Sequence, residues 1–443
     1  MLGVRDWAKG AGERGGAPLC PPLTSKSAAS PLAKEPLVEA SSPSPDARME
    51  PQRAPVGLLL MALTMLGLIA GLHVYLGARL ISAPDLPPPW TGLGWAVLGL
   101  GFLSIPAAMA STRMRHSWRE QVLHWGGMLW LGAFGLLLTA TAVADVAGWV
   151  WRLTGSAPGG VEWARLEALG VVGVVGPALL FAFRTARSPA RVERVTVPVT
   201  GLGEGLSGMK VVQISDIHIG PTLDRRFMRR VVEQVNALKP DLVAVTGDLV
   251  DGDVARLRDE VAPLADLRAP LGVYYVTGNH EYYHGGAAWG AEVARLGLTV
   301  LHNAHRVVER AGGRLTVAGV PDLEGGRMEA GHACRPDVAL AGAPEGVPRL
   351  LLAHQPRVAL RAGGLGVDLQ LSGHTHGGQL FPFMALVKLQ QPVIQGLATV
   401  AGVRVYTHRG TGYWGPPLRL GPAPEIAELT LVRAAPGDSS SKH

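Results

Sequence analysis

The sequence predicts an α/β protein in two parts: about four membrane-spanning helices, followed by a domain of two packed β-sheets flanked by helices. Three observations support this prediction. Four long apolar stretches lie within residues 56–183. Charged residues make up 17% of the chain, against about 25% in an average soluble domain. After about Arg191, short β-branched runs alternate with apolar residues at helical spacing, which is typical of sheets covered by helices.

Composition excludes several classes of protein. The net charge is +6, but the basic residues are scattered and are not interleaved with aromatic residues, so no nucleic-acid partner is predicted. Two cysteines are too few for a disulfide framework. Residues 1–55 lack apolar periodicity and predict a disordered tail, as do residues 434–443. Met49 is an alternative start to Met1, and no signal peptide is predicted because the first apolar run is too long.

The apolar stretches are long enough to cross a hydrocarbon core, which needs about 20 helical residues. They are Val56–Ala78, Trp90–Thr112, Gln121–Ala144 and Leu166–Phe183. The fourth has Glu167 at its edge and Pro177 inside it. The alternative interpretation is a set of buried helices in a soluble domain.

Arginines in the flanking segments predict the orientation. They precede the first stretch, separate the second from the third, and follow the fourth: Arg48 and Arg53; Arg113, Arg115 and Arg119; Arg184, Arg187, Arg191 and Arg194. This alternation predicts a multi-pass membrane protein with both termini and the C-terminal domain in the cytoplasm. If the fourth stretch does not span, the C-terminal domain lies on the other side.

Residues 184–204 are interpreted as a basic juxtamembrane linker, and residues 205–433 as the α/β domain. Strands are predicted at Lys210–Ser215, Leu242–Thr246, Val273–Thr277, Leu350–Ala353, Leu369–Ser372, Val403–Tyr406 and Ile426–Val432, with shorter β runs near Leu298, Arg306 and Leu315. Helices are predicted at 227–238, Val254–Leu267 and Ala287–Leu296.

Metal-binding residue types follow five of the predicted strands. They are Asp216 and His218 in SDIH, Asp248 and Asp251 in TGDLVDGD, Asn279, His280 and Glu281 in TGNHE, His354 in LLLAH, and His374 and His376 in LSGHTHGG. Ligands of open α/β sheets gather at the carboxyl ends of strands, so these loops can converge. Mixed carboxylate, imidazole and amide ligands suit Mn, Fe or Zn, with Mg less favoured, rather than a thiolate site. Taken singly, each residue is more often an ordinary surface or core residue than a metal ligand.

The ordered motifs D-x-H, G-D-x-x-D, G-N-H-E, a lone His and G-H-T-H resemble the calcineurin-like metallophosphoesterase superfamily over about residues 205–432. With the apolar region ahead of it, the chain is similar to transmembrane proteins with a metallophosphoesterase domain and to bacterial membrane-associated phosphodiesterases. The resemblance implies two divalent metal ions. Asp216, His218 and His376 would hold the first, Asn279, His354 and His374 the second, and Asp248 would bridge both.

The resemblance also implies the remaining roles. His280 would be the general acid, while Asp251 and Glu281 would orient histidine ligands. The implied reaction is hydrolysis of a phosphodiester or pyrophosphate bond by a metal-bridging hydroxide. A lipid or lipid-linked nucleotide is one candidate substrate because the domain is tethered to the bilayer, and no protein partner is inferred. The alternatives are a phosphomonoesterase with the same metals, and a non-catalytic membrane receptor or scaffold.

Departures from the superfamily pattern restrict the class of substrate that we expect. Serine/threonine protein phosphatases carry phosphate-clamping arginines where this chain has Gly252 and Thr277. Arg409 is a candidate contact for the substrate phosphate, with a structural salt bridge as the alternative.

The apolar stretch Gln379–Val400 is either a helix or hairpin packed on the core, or a flap beside the metals that contacts the bilayer or an acyl chain.

Overall fold

The computed structural model describes residues 56–111, 118–155 and 160–434. The tails expected at 1–55 and beyond Ala434, the alternative start at Met49, and Arg113 and Arg115 lie outside these residues. Residues 60–443 form one unit, and residues 1–59 another.

Four helices occupy the predicted apolar stretches, and all are long and apolar enough to cross a membrane. They are α1 (Val56–Gly77, continued by a π-helical turn at Ala78–Ser82), α2 (Pro88–Ser111), α3 (Trp118–Arg152) and α4 (Val161–Ala186). Pro177 lies within α4 without ending it. The fourth stretch is therefore a continuous helix of 26 residues, long enough for a span.

A group of charged side chains joins α1, α3 and α4. The Arg79 guanidinium forms an ion pair with Asp145, its Nε lying 2.8 Å from Oδ1, and lies 3.2 Å from the Glu167 carboxylate. The Tyr75 hydroxyl also donates to Asp145. Ionisable groups inside membrane segments are costly unless paired, so this group fixes the relative positions of three helices.

The first half of α3 packs against the C-terminal domain. Glu120, which is fully buried, forms an ion pair with Arg256 of the domain. Gly132 and Gly135 leave room for domain side chains: a Cβ on Gly132 would lie 2.3 Å from Leu418, and one on Gly135 would lie 3.3 Å from Phe383. Small residues permit such close approach to a helix in a membrane protein.

Two six-stranded mixed sheets form the core of the C-terminal domain. The first has the order β1–β12–β2–β3–β4–β5, and the second β10–β11–β9–β8–β7–β6. The strands are β1 (Arg191–Val199), β2 (Met209–Ile214), β3 (Leu242–Val245), β4 (Val273–Tyr275), β5 (Thr299–Val300), β6 (Ala304–Arg310), β7 (Gly313–Gly319), β8 (Arg349–Leu352), β9 (Leu369–Ser372), β10 (Gly396–Val400), β11 (Val403–Thr407) and β12 (Glu425–Arg433).

Apolar side chains fill the space between the sheets and beneath the outer helices. Val211, Leu242, Val317, Leu350 and Leu371 belong to the cluster between the sheets. The helices are α5 (Arg225–Ala237), α6 (Val254–Val261), α7 (Asn279–Tyr283), α8 (Gly286–Arg295), α9 (Gly325–Met328), α10 (Pro336–Ala339), α11 (Ala359–Ala362) and α12 (Met384–Gln390). The fold class predicted from the sequence is confirmed.

The expected linker at 184–204 differs from the structure. It contains β1, an edge strand that pairs in parallel with β12 from Arg191↔Glu425 to Val199↔Arg433. Charged residues at 191, 193 and 194 indicated a basic linker, although Val195, Val197 and Val199 alternate as in a half-buried strand. The domain therefore begins at Arg191 rather than at residue 205. The sequence did not show this, because β12, the partner of β1, lies at the far end of the chain.

We expect Arg79→Ala to lower the free energy of unfolding by about 2 kcal/mol, because it leaves two carboxylates without their cation. Thermal unfolding of the purified full chain in detergent would measure this loss as a fall in Tm of several degrees. Arg152→Ala is the matched control, since Arg152 is exposed at the end of α3. Equal effects of the two substitutions would contradict a structural role for the Arg79 group.

Candidate metal centre

The predicted ligand residues follow the carboxyl ends of five strands from both sheets. Asp216 and His218 follow β2, Asp248 follows β3, Asn279 follows β4, His354 follows β8, and His374 and His376 follow β9. Most of these strands run parallel to their neighbours, so their carboxyl ends lie at one edge of the domain. The structure therefore brings together side chains that lie up to 160 positions apart in the sequence.

One group of potential ligands is formed by Asp216, His218 and His376, whose ligand atoms all lie within 4.8 Å of one another. The Nε2 atoms of His218 and His376 are 3.0 Å apart, and His376 Nε2 is 3.5 Å from Asp216 Oδ1. Oδ1 of Asp216 accepts a hydrogen bond from the His374 backbone N–H. The other carboxylate oxygen, Oδ2, is buried and makes no hydrogen bond with a described residue.

Asp248, His354 and His374 form a second group within the same distance limit. His354 Nε2 lies 3.1 Å from Asp248 Oδ2 and 3.3 Å from His374 Nδ1. The amide oxygen of Asn279 lies 3.0 Å from the same nitrogen of His374. Asp248 also approaches the first group, because its Oδ2 is 3.9 Å from His218 Nε2.

Hydrogen bonds on the far side of two imidazoles show why cations fit here. His354 Nδ1 is 2.8 Å from the Thr246 carbonyl oxygen, and His218 Nδ1 is 3.0 Å from Asp251 Oδ1. These acceptors require the proton on Nδ1, so in each neutral ring the Nε2 lone pair points into the centre. Lone pairs and carboxylate oxygens thus face one another at about 3 Å, an arrangement that divalent cations would stabilise.

His280 lies beside these groups. Its Nδ1 donates to Asp251 Oδ1 over 2.6 Å, and its Nε2 is 4.0 Å from Asp248 Oδ2. Its ring lies 5.5 Å from that of Trp414 and 5.2 Å from that of Tyr283, and both of these aromatic side chains are more than half exposed. His280 therefore lies between the buried carboxylates and the exposed rim.

Electrostatics within the centre shift several pKa values. Burial alone would raise the pKa of Asp248, but the charges of His354 and His280 hold it well below its usual range. Burial would lower the pKa of His280, yet the neighbouring charges of Asp248 and Asp251 raise it to about 9. Burial, together with the charge of His354, lowers the pKa of His374 to about 3. The centre thus favours an ionised Asp248, a protonated His280 and a neutral His374.

Glu281 occupies a different position from the one expected. Its carboxylate accepts hydrogen bonds from the backbone N–H groups of Gly278, Asp248 and Leu249, at 2.6 to 3.0 Å, rather than from a histidine ring. It fixes the loops after β3 and β4 to each other. Asp251 contacts the Nδ1 atoms of both His218 and His280, as expected of a residue that orients rings.

Arg409 forms ion pairs within the domain, which is the alternative that the sequence left open. Its Nε lies 3.1 Å from Glu425, and its guanidinium lies 3.4 Å from Glu193 on β1. The sequence could not show this arrangement, because both carboxylates come from strands at the ends of the domain.

A further arginine that the sequence did not single out braces the centre. The Arg419 side chain is fully buried; it donates to the carbonyl oxygens of Gly410 and Gly412, and its Nη2 lies 3.3 Å from His376 Nδ1. Burial lowers the pKa of Arg419 to about 10. No local signal distinguishes it from other loop arginines, since its contacts depend on how two distant loops meet.

The backbone at the centre is constrained as tightly as the side chains. Five of the expected ligands have φ between 50° and 71°, a region that L-residues rarely adopt: Asp216, His218, Asp248, His374 and His376. Two motif glycines are needed for close approach. A Cβ on Gly278 would lie 2.1 Å from Asp248 Oδ1, and one on Gly373 would lie 2.2 Å from Asp216 Oδ2.

Several known proteins are similar to this chain in sequence. Residues 209–378 match the calcineurin-like phosphoesterase family. The chain is 40% identical over 263 residues to a zebrafish (Danio rerio) "transmembrane protein with metallophosphoesterase domain" and 39% identical over 300 residues to the cattle (Bos taurus) protein of that name. These alignments cover 58% and 65% of this chain, and 60% and 67% of the relatives.

A bacterial relative is covered more completely. An uncharacterized metallophosphoesterase of Aquifex aeolicus is 35% identical over 246 residues, which are 54% of this chain and 91% of that protein. Family membership implies divalent metal ions, and the two groups of ligand atoms described above are suited to hold them. The chain belongs to the calcineurin-like phosphoesterase family.

Proposed function

We propose that this chain is a membrane-anchored phosphoesterase that holds two divalent cations and hydrolyses a phosphodiester or pyrophosphate bond. The observation that carries the proposal is the convergence of imidazole lone pairs and buried carboxylate oxygens, within about 3 to 4 Å, at one edge of the domain. A non-catalytic scaffold would have no need of so costly an arrangement of charge.

The two groups of side chains are suited to two cations. Asp216, His218 and His376 would hold one, and Asn279, His354 and His374 the other. Asp248 lies between the groups, and only a carboxylate offers two oxygens and a negative charge to both. Mn, Fe or Zn suits this mixture of nitrogen and oxygen ligands. When bound, such cations supply Lewis-acid polarisation of the phosphoryl group and a water nucleophile at neutral pH.

His280 is positioned to act as the general acid. Asp251 holds its Nδ1–H, which leaves Nε2 free to carry a proton toward the leaving oxygen. The exposed rings of Trp414 and Tyr283 flank His280 and would shield this proton transfer from water. His280 would thus donate its Nε2 proton as the P–O bond breaks.

A diester is favoured over a monoester by the charge of the substrate. A phosphomonoester carries a second negative charge, which protein phosphatases clamp with arginines where this chain has Gly252 and Thr277. Arg409 is occupied by two carboxylates. A phosphodiester or pyrophosphate, with less charge on each phosphoryl group, needs fewer such cations.

A lipid-linked substrate is favoured by the surface between the domain and the membrane helices. Phe381, Pro382 and Leu420 line an apolar groove of about 620 Å³, together with α3 from Leu136 to Trp151 and α4 from Trp163 to Ala178. Phe381 is five positions after His376. Every side chain of the following helix, α12, is at least partly exposed, and Leu389 is 82% exposed. This geometry supports an apolar flap that receives an acyl chain while the phosphate lies at the metals.

Catalysis by the metal centre predicts the behaviour of two variants. For the full chain in detergent with Mn²⁺, we expect Asp248→Asn to reduce phosphodiester hydrolysis at least about 100-fold, because the side chain loses its negative charge and one of its two ligand oxygens. We expect His280→Ala to reduce it about 10²- to 10⁴-fold, because the leaving oxygen is no longer protonated. Hydrolysis of a chromogenic phosphodiester and of the matching monoester would be measured together with the metal content of each variant.

His302→Ala serves as the control, because His302 lies outside both groups of ligand atoms. Metal content should fall in Asp248→Asn and remain unchanged in His280→Ala. Preferential hydrolysis of the monoester would establish a phosphomonoesterase instead. A folded, metal-loaded chain that hydrolyses neither ester, nor the lipid-linked ester below, would refute the catalytic proposal.

The apolar flap predicts a difference between substrates. We expect Phe381→Ser to lower kcat/KM about tenfold for a phosphodiester that carries long acyl chains, because the variant lacks the ring that lines the groove. Turnover of the soluble chromogenic diester should be unchanged. Leu389→Ser is the matched control, because it removes an apolar side chain that does not line the groove. Equal losses on both substrates would exclude a role in lipid binding.

The arginine pattern predicts a multi-pass protein with the catalytic domain in the cytoplasm. A reporter fused after Arg194 should be active only in the cytoplasm, whereas one fused after Asp85, between α1 and α2, should report the opposite side. If both fusions report the same side, the proposed topology is wrong.

A further inference from the structure

A small pocket of about 230 Å³ lies where α4 ends and α5 begins. Arg187 caps the C-terminus of α4, and Arg226 and Arg230 lie one helical turn apart on α5. All three line the pocket together with Thr222 and Tyr413. This pocket is separate from the two groups of potential metal ligands.

Arginines outnumber carboxylates among the described residues that line this pocket. Within residues 56–111, 118–155 and 160–434, none of Arg187, Arg226 and Arg230 forms an ion pair with a carboxylate. One acidic residue, Asp224, lines the pocket, and it accepts hydrogen bonds from the backbone N–H groups of Arg226 and Phe227 as the N-cap of α5. Three guanidinium groups therefore face a single carboxylate, which makes the pocket suitable for an anion.

The buried wall of the pocket provides a second, independent indication of a ligand. Tyr413 is 2% exposed, and its hydroxyl makes no well-formed hydrogen bond with a described residue, although Thr222 lies beside it. Thr222 can donate to the phenol oxygen, whereas an oxyanion in the pocket would accept the Tyr413 proton.

The position of Arg187 indicates the source of the anion. Arg187 follows directly after a helix that is long and apolar enough to span a membrane. Its guanidinium lies 5.2 Å from the ring of Trp125 on α3 and 5.9 Å from that of Phe183 on α4. Aromatic rings and arginines at the ends of membrane helices lie at the level of lipid headgroups.

We propose that Arg187, Arg226, Arg230 and Tyr413 form a binding site for the phosphate of an anionic phospholipid headgroup at the membrane surface. Guanidinium groups match phosphate oxygens with paired N–H donors, and the Tyr413 hydroxyl adds a further donor from the buried side. The proposal concerns binding and holds whether or not the domain is catalytic.

A bound lipid would also affect the metal centre, because the two segments that form the pocket wall, around Thr222 and around Tyr413, continue into the loops of that centre. Thr222 and Asp224 end the loop that begins at Asp216 and His218. Tyr413 follows Gly412, whose N–H donates to the Asp216 carbonyl oxygen over 3.0 Å, and precedes Trp414 beside His280. A headgroup in the pocket would therefore hold the loops on two sides of the centre.

Thermal unfolding of the full chain in neutral detergent tests this proposal. We expect short-chain phosphatidylglycerol to raise Tm in a saturable manner, because it binds only the folded protein. Short-chain phosphatidylcholine should raise Tm far less, because it has no net charge. Arg226→Ala combined with Arg230→Ala should weaken the apparent affinity for phosphatidylglycerol at least about tenfold, and Tyr413→Phe should weaken it by a smaller factor.

Arg225→Ala combined with Arg229→Ala is the matched control, because it removes the same charge from the same helix outside the pocket. An equal loss of affinity in this control would show that the lipid is attracted by the overall positive charge of the helix, and it would refute the proposed site. Stabilisation by inorganic phosphate as strong as that by phosphatidylglycerol would overturn the lipid assignment. A Tm that phosphatidylglycerol does not change would overturn the proposal altogether.

Discussion

The carboxylate of Asp248 is the group on which the rest of the C-terminal domain depends. It is 2% exposed, and three imidazole nitrogens lie 3.1, 3.9 and 4.0 Å from its Oδ2 atom. A charge buried so deeply is tolerated only when hydrogen bonds and opposite charges surround it. The backbone N–H of His280 donates to its Oδ1, and Glu281 holds the backbone of Asp248 itself. The loops after β3 and β4 are therefore fixed to each other before any cation is considered.

Further contacts connect the surroundings of Asp248 to the membrane helices. The segment from Gly410 to Leu420 contacts the Asp216 loop through Thr411 and Gly412, and it contacts α4 through a hydrogen bond from Arg419 N–H to the Ala182 carbonyl oxygen. On α3, the Glu120–Arg256 ion pair and the close approach of Leu418 to Gly132 tie the helix to the domain. A short stretch of loop thus contacts the metal centre, the apolar groove and the helices.

The sequence pattern predicted those structural elements that depend on neighbouring residues. The apolar length of α1 to α4, the alternation of strands and helices, and the positions of the ligand types after strands all agree with the structure. Each depends on a few neighbouring residues, whose period or composition is visible in the sequence. β1 was missed, because its pairing with β12 joins residues more than 230 positions apart. The surroundings of Glu281 and Arg419 were also missed, since their partners lie on other loops. For Arg409 the sequence left two alternatives open, and the structure shows the ion pairs.

The sequence by itself determined which potential metal ligands this protein carries, in which order, and behind which apolar segments. Those properties follow from residue identity and short-range spacing, which folding does not alter. Only the tertiary structure decided which atoms face one another. It turned the Nε2 atoms of His218 and His354 toward carboxylates, and it placed Arg187 beside Arg226 and Arg230 in one pocket. Such contacts depend on the packing of distant segments, because ion pairs and hydrogen bonds form over a few ångströms of space and not along the chain.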